Sequence, residues 1–301
     1  DKPIAVFGCH DRAYVPVNIV PGYDHLIEQM PPVLAWGKNF ATVPLASRSF
    51  GDTFRILASL DGTNVQVNGA TVAVLARGQY HQRILTARSQ ITASSPVLVM
   101  QYSNSQSWDG TLADPFMMLV PPMEQYLPGY TISTPATGFL RNYVNVTAPD
   151  PAVGLITLDG VPIPPAQYQP IFVTGFSGAA VSISSGTHVL AGPLPFGVAV
   201  YGFNDYDSYG YSGGLNLSPI VNVTSLELDP PTAQILVGNS HCVTVTLADT
   251  FGNPVEGVRV DLAVSGSNNT VGFAFTDAFG EAVWCYAGTF PGPDVITATM
   301  G

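Results

Sequence analysis

A proline followed by an apolar strand that ends in an aromatic residue occurs three times in this chain. The copies are Pro3-Ile4-Ala5-Val6-Phe7-Gly8, Pro96-Val97-Leu98-Val99-Met100-Gln101-Tyr102 and Pro195-Phe196-Gly197-Val198-Ala199-Val200-Tyr201-Gly202. A polar loop rich in Asp, Asn, Ser and Tyr follows each. The first two are followed by paired prolines, Pro31-Pro32 and Pro121-Pro122, then by aromatic strands at Phe40 and Tyr130. Matching strands come next, Phe54-Arg55-Ile56-Leu57 and Tyr143-Val144-Asn145-Val146, and then matching hairpin signals, Asn68-Gly69 and Asp159-Gly160. Asn-Gly and Asp-Gly supply the positive φ angles that tight hairpin turns demand. Self-similarity of this kind restricts the chain to tandem copies of one supersecondary unit. The expectation is an all-β module over residues 1–219, made of two related β-sandwich units at about 1–120 and 121–219. The strand opening each unit is contributed from the end of the previous stretch. Helical periodicity is limited to one turn at Asp24–Gln29, stopped by the prolines.

Composition agrees with short strands joined by tight turns. The hydrophobic fraction is 46%, charged residues are only 10%, and Gly (30) and Pro (26) are frequent without a collagen-like period. The formal charge of −11 comes with no cluster of Lys and Arg, and Lys2 and Lys38 are the only lysines. That balance excludes a phosphate-tracking nucleic-acid binder and disfavours an anionic membrane surface. No apolar run is long enough to span a bilayer, and no signal peptide stands at Asp1. The chain opens and stops inside apparent strands, so a fragment of a larger extracellular, secreted or cell-surface protein is expected.

From Ser225 the alternation restarts after a polar joint at Asn222–Thr224 and the Pro230-Pro231 pair, which marks an Ig-like β-sandwich over residues 220–301. Cys242 and Cys285 lie in alternating apolar segments of the kind that face each other across a sandwich. A disulfide between them is expected, the other reading being two buried thiols. Cys9 has no partner in the chain.

Two family resemblances add to this reading. Residues 225–301 resemble a bacterial Ig-like domain of the invasin/intimin type. The matching positions are Leu247-Ala248-Asp249-Thr250-Phe251-Gly252-Asn253-Pro254-Val255, Gly257-Val258, Thr276-Asp277 and Gly292-Pro293-Asp294-Val295-Ile296-Thr297-Ala298-Thr299. Such a resemblance implies a rigid spacer of a surface adhesin. Residues 1–219 resemble the N-terminal domain family of the IgGFc-binding protein. The match rests on Lys2–Gly8, Asp24–Pro32, Gly51–Ser59, Asp114–Pro122 and Tyr201–Tyr211. In close bacterial relatives two cysteines flank the first loop; Arg12 and Tyr23 stand in those places here, which implies the loss of a stapling disulfide.

Three loops after the repeated strands, His10–His25, Ser103–Asp114 and Asn204–Gly214, are the candidate sites, emerging at similar ends of their sandwiches. The binding candidates are Trp108, Asp109, Asp205, Tyr206, Asp207, Tyr209 and Tyr211, because exposed aromatics beside carboxylates suit sugar rings or a protein surface. The competing reading has these residues closing turns and packing over sandwich ends. Asp205, Asp207 and Gly210 partly fit a calcium loop, with Tyr209 and Asn216 where ligands belong. Calcium is therefore the one ion admitted, and no other cofactor is expected. Gly210-Tyr211-Ser212-Gly213-Gly214 matches the nucleophile-elbow pattern without a following helix, a chance match. His10, His25, His81, His188 and His241 lack zinc spacing. Glu28 and Glu124, each beside a Pro-Pro step, suit backbone tethers at a turn better than paired acid–base catalysts. The expected function is non-catalytic adhesion or recognition of a glycan or protein, with a purely structural stalk as the alternative.

Overall fold

Alternation of apolar and polar residues sets nearly every element as a strand, because successive side chains leave a strand on opposite faces. The computed structural model describes residues 4–217, 223–249, 252, 254–256 and 258–300. The joint at Asn222–Thr224 and the motif positions Lys2, Pro3, Thr250, Phe251, Asn253 and Gly257 lie wholly or partly outside them. The chain is all-β and divides into two compact units, Asp1–Ile220 and Val221–Gly301.

The first unit opens with a hairpin of β1 (Val6–Tyr14) and β2 (Tyr23–Met30). Asp24–Gln29, read from sequence as a helical turn, is thus strand: Asp24 and Leu26 to Gln29 pair with β1, and Leu26 is buried. A sandwich follows from β3 (Gly37–Thr42), β4 (Asp52–Ala58), β5 (Thr63–Val67), β6 (Ala70–Leu75), β7 (Tyr80–Leu85), β8 (Ser89–Ser103) and β9 (Phe116–Leu119). The long strand β8 serves both sheets. Its first half pairs with β3 and β5, and its second half with β4 and β9. Phe40, Phe54, Ile56, Val65, Ile91 and Val99 meet between the sheets. Burying one such large side chain stabilises by about 1.5–3 kcal/mol.

The second sandwich repeats this wiring with β10 (Leu127–Ser133), β11 (Arg141–Pro149), β12 (Thr157–Leu158), β13 (Val161–Pro162), β14 (Gln169–Pro170), β15 (Phe176–Ile183), β16 (Thr187–Asn204) and β17 (Asp207–Ser212). Here β16 is the shared strand, pairing with β10 and β12 and then with β11 and β17. Tyr130, Val144, Val146, Leu190, Phe196, Val198 and Val200 fill the core. Even the turns correspond. Asn68 and Gly69 have φ of 49° and 76°, Asp159 and Gly160 of 52° and 79°. The Asn68 side chain accepts from the Gln90 amide at 2.8 Å, and Asp159 accepts from the Val189 amide at 2.9 Å. A 3-10 turn follows each Pro-Pro step, at Val33–Ala35 and Met123–Gln125. Glu28 does bind backbone, accepting from the Leu119 amide at 3.1 Å, whereas Glu124 accepts from the Asn39 side chain at 2.8 Å.

The two sandwiches of this unit are joined by Leu45, Phe116, Met118, Tyr201 and Phe203. At their centre the fully buried Tyr201 hydroxyl accepts from the Ala46 amide at 2.7 Å and donates to Asn145 Oδ1 at 2.8 Å.

The second unit contains β18 (Val223–Asp229), β19 (Ser240–Asp249), β20 (Arg259–Gly266), β21 (Thr270–Phe275), β22 (Glu281–Ala287) and β23 (Asp294–Met300). They form two antiparallel sheets, β18-β19-β22 and β21-β20-β23. Val243, Val245, Leu247, Val260, Leu262 and Ala282 make the core. Cys242 and Cys285 are joined in a disulfide, but not across the sandwich. They are register partners on the neighbouring strands β19 and β22, on the exposed face. Val243 and Val245 take the inward positions, so strand alternation turns Cys242 outward.

Candidate functional site

The three candidate loops are shorter than the sequence suggests, and they meet. Strand β1 continues through Tyr14 and β2 begins at Tyr23, so the first loop is residues 15–22, and His10, Asp24 and His25 sit on strands. The Tyr14 and Tyr23 rings lie 5.2 Å apart, and the Arg12 guanidinium stands 3.9 Å from the Tyr23 ring centroid. Arg12 and Tyr23 therefore touch, closing the loop by a cation–π contact worth about 0.5–1 kcal/mol at an exposed site.

The second loop, residues 104–115, holds the short helix α1 (Gln106–Asp109). Ser105 caps it, accepting from the Ser107 amide at 3.2 Å, and Gly110 ends it at φ 71°. Trp108 is half-buried, its indole N–H donating to the Phe50 carbonyl at 3.3 Å. The Asp109 side chain is out of solvent with that of Arg48, 3.1 Å from its Nη2, and accepts from the Ser49 amide at 3.0 Å. Desolvation lowers the Arg48 pKa, opposed by the charges of Asp109 and Asp52. Trp108 and Asp109 thus fasten α1 to the segment before β4 rather than standing free, which corrects their reading as exposed contact residues.

The third loop reduces to the turn Asp205-Tyr206 between β16 and β17, with Tyr206 at φ 48°. Tyr209 and Tyr211 belong to β17 and are half-buried. The Tyr209 hydroxyl donates to Asn142 Oδ1 and that of Tyr211 to the Ser133 carbonyl, each at 2.7 Å. Burial raises both hydroxyl pKa values. Their expected exposure is corrected too: their rings pack against the second core. Asp205, Tyr206 and Asp207 are exposed.

Hydrogen bonds draw the three loops together around α1. The Ser105 amide donates to the Val15 carbonyl at 3.0 Å, and its hydroxyl donates to the Pro21 carbonyl. Gln106 Nε2 donates to Asp205 Oδ1 at 3.1 Å, and Ser208 Oγ donates to the Asp114 carbonyl at 2.7 Å. Burial, helped by the charges of Asp24 and Asp207, pushes the Asp114 carboxyl up to about 6. Ile19 of the first loop, Phe50, whose carbonyl holds the Trp108 indole, and Tyr206 of the third loop are each more than half exposed. Sequence reasoning passed over Ile19, Phe50, Gln106 and Asp114; Ile19 alone left a signal, an apolar residue in a turn-rich stretch. Among the described residues no group of three or more His, Cys, Asp or Glu is placed to hold a metal ion. No helix among them is long and apolar enough to cross a membrane.

One constellation elsewhere imitates a hydrolytic triad. His188 Nδ1 lies 2.6 Å from Asp159 Oδ2, and its Nε2 is 3.5 Å from Ser184 Oγ. That Nε2 also lies 3.0 Å from the Ser184 carbonyl, which can only accept. A ring donating at both nitrogens is an imidazolium and cannot take a proton from the hydroxyl. Burial pulls the His188 pKa down, but the bonds to Asp159 and Ser184 outweigh it and the net shift is upward. NMR titration is expected to place His188 above its ordinary value of about 6.5, with Asp159→Asn lowering it. The stability it contributes is full below about pH 6.5 and fades as pH rises through the folded value. An unshifted His188 would overturn this assignment. Ser212, of the elbow-like motif, ends β17, and the described residues that follow it, 213–217, form no helix.

Residues 1–202 match the family described as IgGFc binding protein. The human IgGFc-binding protein is 24% identical over 166 residues, which is 53% of this chain and 3% of that protein. A crystal structure of Streptomyces avermitilis α-L-rhamnosidase complexed with L-rhamnose aligns over 88% of this chain and 43% of its own. Its 12% identity and TM-score of 0.20 support no argument about fold or site.

Proposed function

Because this chain belongs to the IgGFc binding protein family, we propose that its first unit is a non-catalytic, extracellular recognition module for a protein partner. The observation that supports this most is the convergence of three loops from successive repeats on α1, with Ile19, Phe50 and Tyr206 exposed and the exposed carboxylates of Asp205 and Asp207 on either side of Tyr206. Exposed apolar side chains together with exposed carboxylates suit a protein surface, and the net charge of −11 favours a basic one. A glycan is the weaker candidate, since Trp108, Tyr209 and Tyr211 already spend their polar groups inside the fold. The disulfide of the second unit fits an oxidising compartment. That unit acts in this proposal as a spacer of the bacterial Ig-like, invasin/intimin type, and the whole as an adhesin segment.

Immunoglobulin G Fc, named in the human relative, is the first probe, followed by panels of extracellular proteins and glycans. Surface plasmon resonance is expected to detect saturable protein binding that Ile19→Asp or Tyr206→Ala weakens at least tenfold, while Val161→Asp on the remote β13 has no effect. Trp108→Ala and Tyr209→Ala would report on folding instead. Binding untouched by the loop variants, or no saturable binding on any panel, would turn the assignment toward a structural stalk.

A further inference from the structure

Strands β1 and β2 reproduce, in register, a hairpin that the chain builds twice more. The Val120 amide donates to the Val99 carbonyl at 2.9 Å after β9, and the Gly213 amide donates to the Val198 carbonyl at 2.8 Å after β17. Met30 pairs with Val6 at the same place. Val6, Val99 and Val198 each stand three residues beyond the proline that opens the repeated motif. The packing recurs as well. Phe116 of β9 lies against Tyr201 and Phe203 of the next sandwich. Leu26, its counterpart on β2, lies against Met100, Tyr102 and Leu119 of the first.

The difference is on the other edge. The second half of β8 is flanked by β4, and that of β16 by β11, whereas among the described residues β1 pairs with β2 alone. The side chains register this. Val97 and Phe196 are each 0% exposed, while Ile4 at the same position is 84% exposed. Val99 and Val198 are 0% and 3% exposed against 52% for Val6, and Met100 is 6% exposed against 56% for Phe7. An open strand edge carrying apolar side chains is a template for a further strand.

We propose that the free edge of β1 is a docking site for an extended strand of the β4 and β11 kind from a further copy of the sandwich repeat. In that assembly β1 serves as the second half of the incoming copy's long strand. Units then add end to end, as the two sandwiches of the first unit already do. An intact second copy of this chain is not the occupant, because its β4 and β11 are each flanked on both edges.

Synthetic peptides of residues 51–59 and 139–149, tested against the full chain, decide the matter. Fluorescence anisotropy is expected to show one saturable site for each. Hydrogen exchange at the Phe7 and Cys9 amides should slow at least tenfold, with no such effect from shuffled peptides. Phe7→Lys, at a position already exposed, should abolish binding without lowering the melting temperature, and Phe7→Pro is the second variant. Equal protection by shuffled peptides, or protection confined to another edge, would overturn the proposal. So would dimerisation through β1 in ultracentrifugation without peptide, because the occupant would then be a second copy.

Discussion

Replacing Asp109 with alanine is expected to lower the stability of the first unit by about 3–5 kcal/mol, seen as a fall of roughly 10 °C in its melting transition. The side chains of Arg48 and Asp109 are both out of solvent, and the pair is 3.1 Å apart. Arg48 Nη2 has one further acceptor, the Ser105 carbonyl at 3.1 Å. Without Asp109 a desolvated guanidinium is left beside that carbonyl, and the Ser49 and Thr111 amides lose the oxygens they donate to. Removing one member of a buried pair is costly because the survivor stays charged in a poor solvent. Asp109→Asn, which keeps an acceptor but no charge, should fall between. The double variant Arg48→Met/Asp109→Leu should recover part of the loss, since it removes both charges. Calorimetry across the series gives the ordering, and partner binding should follow the folded fraction. An Asp109→Ala protein that melts with the wild type would show that the pair carries no stability.

Much of the architecture was legible in the chain because its signals are local. Pro-Pro steps, Asn68-Gly69 and Asp159-Gly160 each fix a turn within a few residues, and their recurrence marks corresponding strands. The alternation in Cys242–Leu247 even contained the answer to the disulfide's position: Val243, Val245 and Leu247 share the inward parity, so Cys242 had to face out. What was illegible depends on distance in sequence. Asp109 reads as a loop carboxylate until Arg48, far back in the chain, is folded onto it. Tyr209 and Tyr211 read as loop aromatics because nothing nearby announces Asn142 and Ser133, the groups that hold their hydroxyls. The repeat implies that equivalent strands release their loops at equivalent ends, but the cluster these loops form depends on bonds such as Gln106 to Asp205, far apart in the chain. Its exposed residues Ile19 and Phe50 did not follow, because exposure is a property of packing rather than of residue type.

Stability of the first unit is expected to fall as pH rises from about 4 to 7, and Asp52→Asn should remove most of that fall. Asp52 is wholly buried at the start of β4, where its Oδ2 accepts from the Leu45 amide at 2.8 Å and from Gln101 Nε2 at 2.9 Å. Burial pushes its carboxyl up to about 7, against the pull of those two bonds and of Arg48. An unfolded Asp ionises near 3.9. Between these values the unfolded chain has released the proton and the folded chain still holds it. Stability therefore drops by up to 1.36 kcal/mol per pH unit, reaching roughly 4 kcal/mol near neutrality and levelling off above it. Asparagine can accept both existing bonds through its carbonyl oxygen and has no charge to bury. The difference between variant and wild type should accordingly widen in favour of the variant across that window. Asp114, pushed up to about 6, adds a smaller fall of the same sign. Asp159, whose pKa is lowered chiefly by its bond to His188, adds stability that is present above about 3.9 and lost as pH falls. Both are unchanged in Asp52→Asn, so subtracting the two curves isolates Asp52. Denaturant unfolding at pH 4 to 8 supplies the curves, and a difference that stays flat would mean that Asp52 ionises in the folded protein much as it does in water.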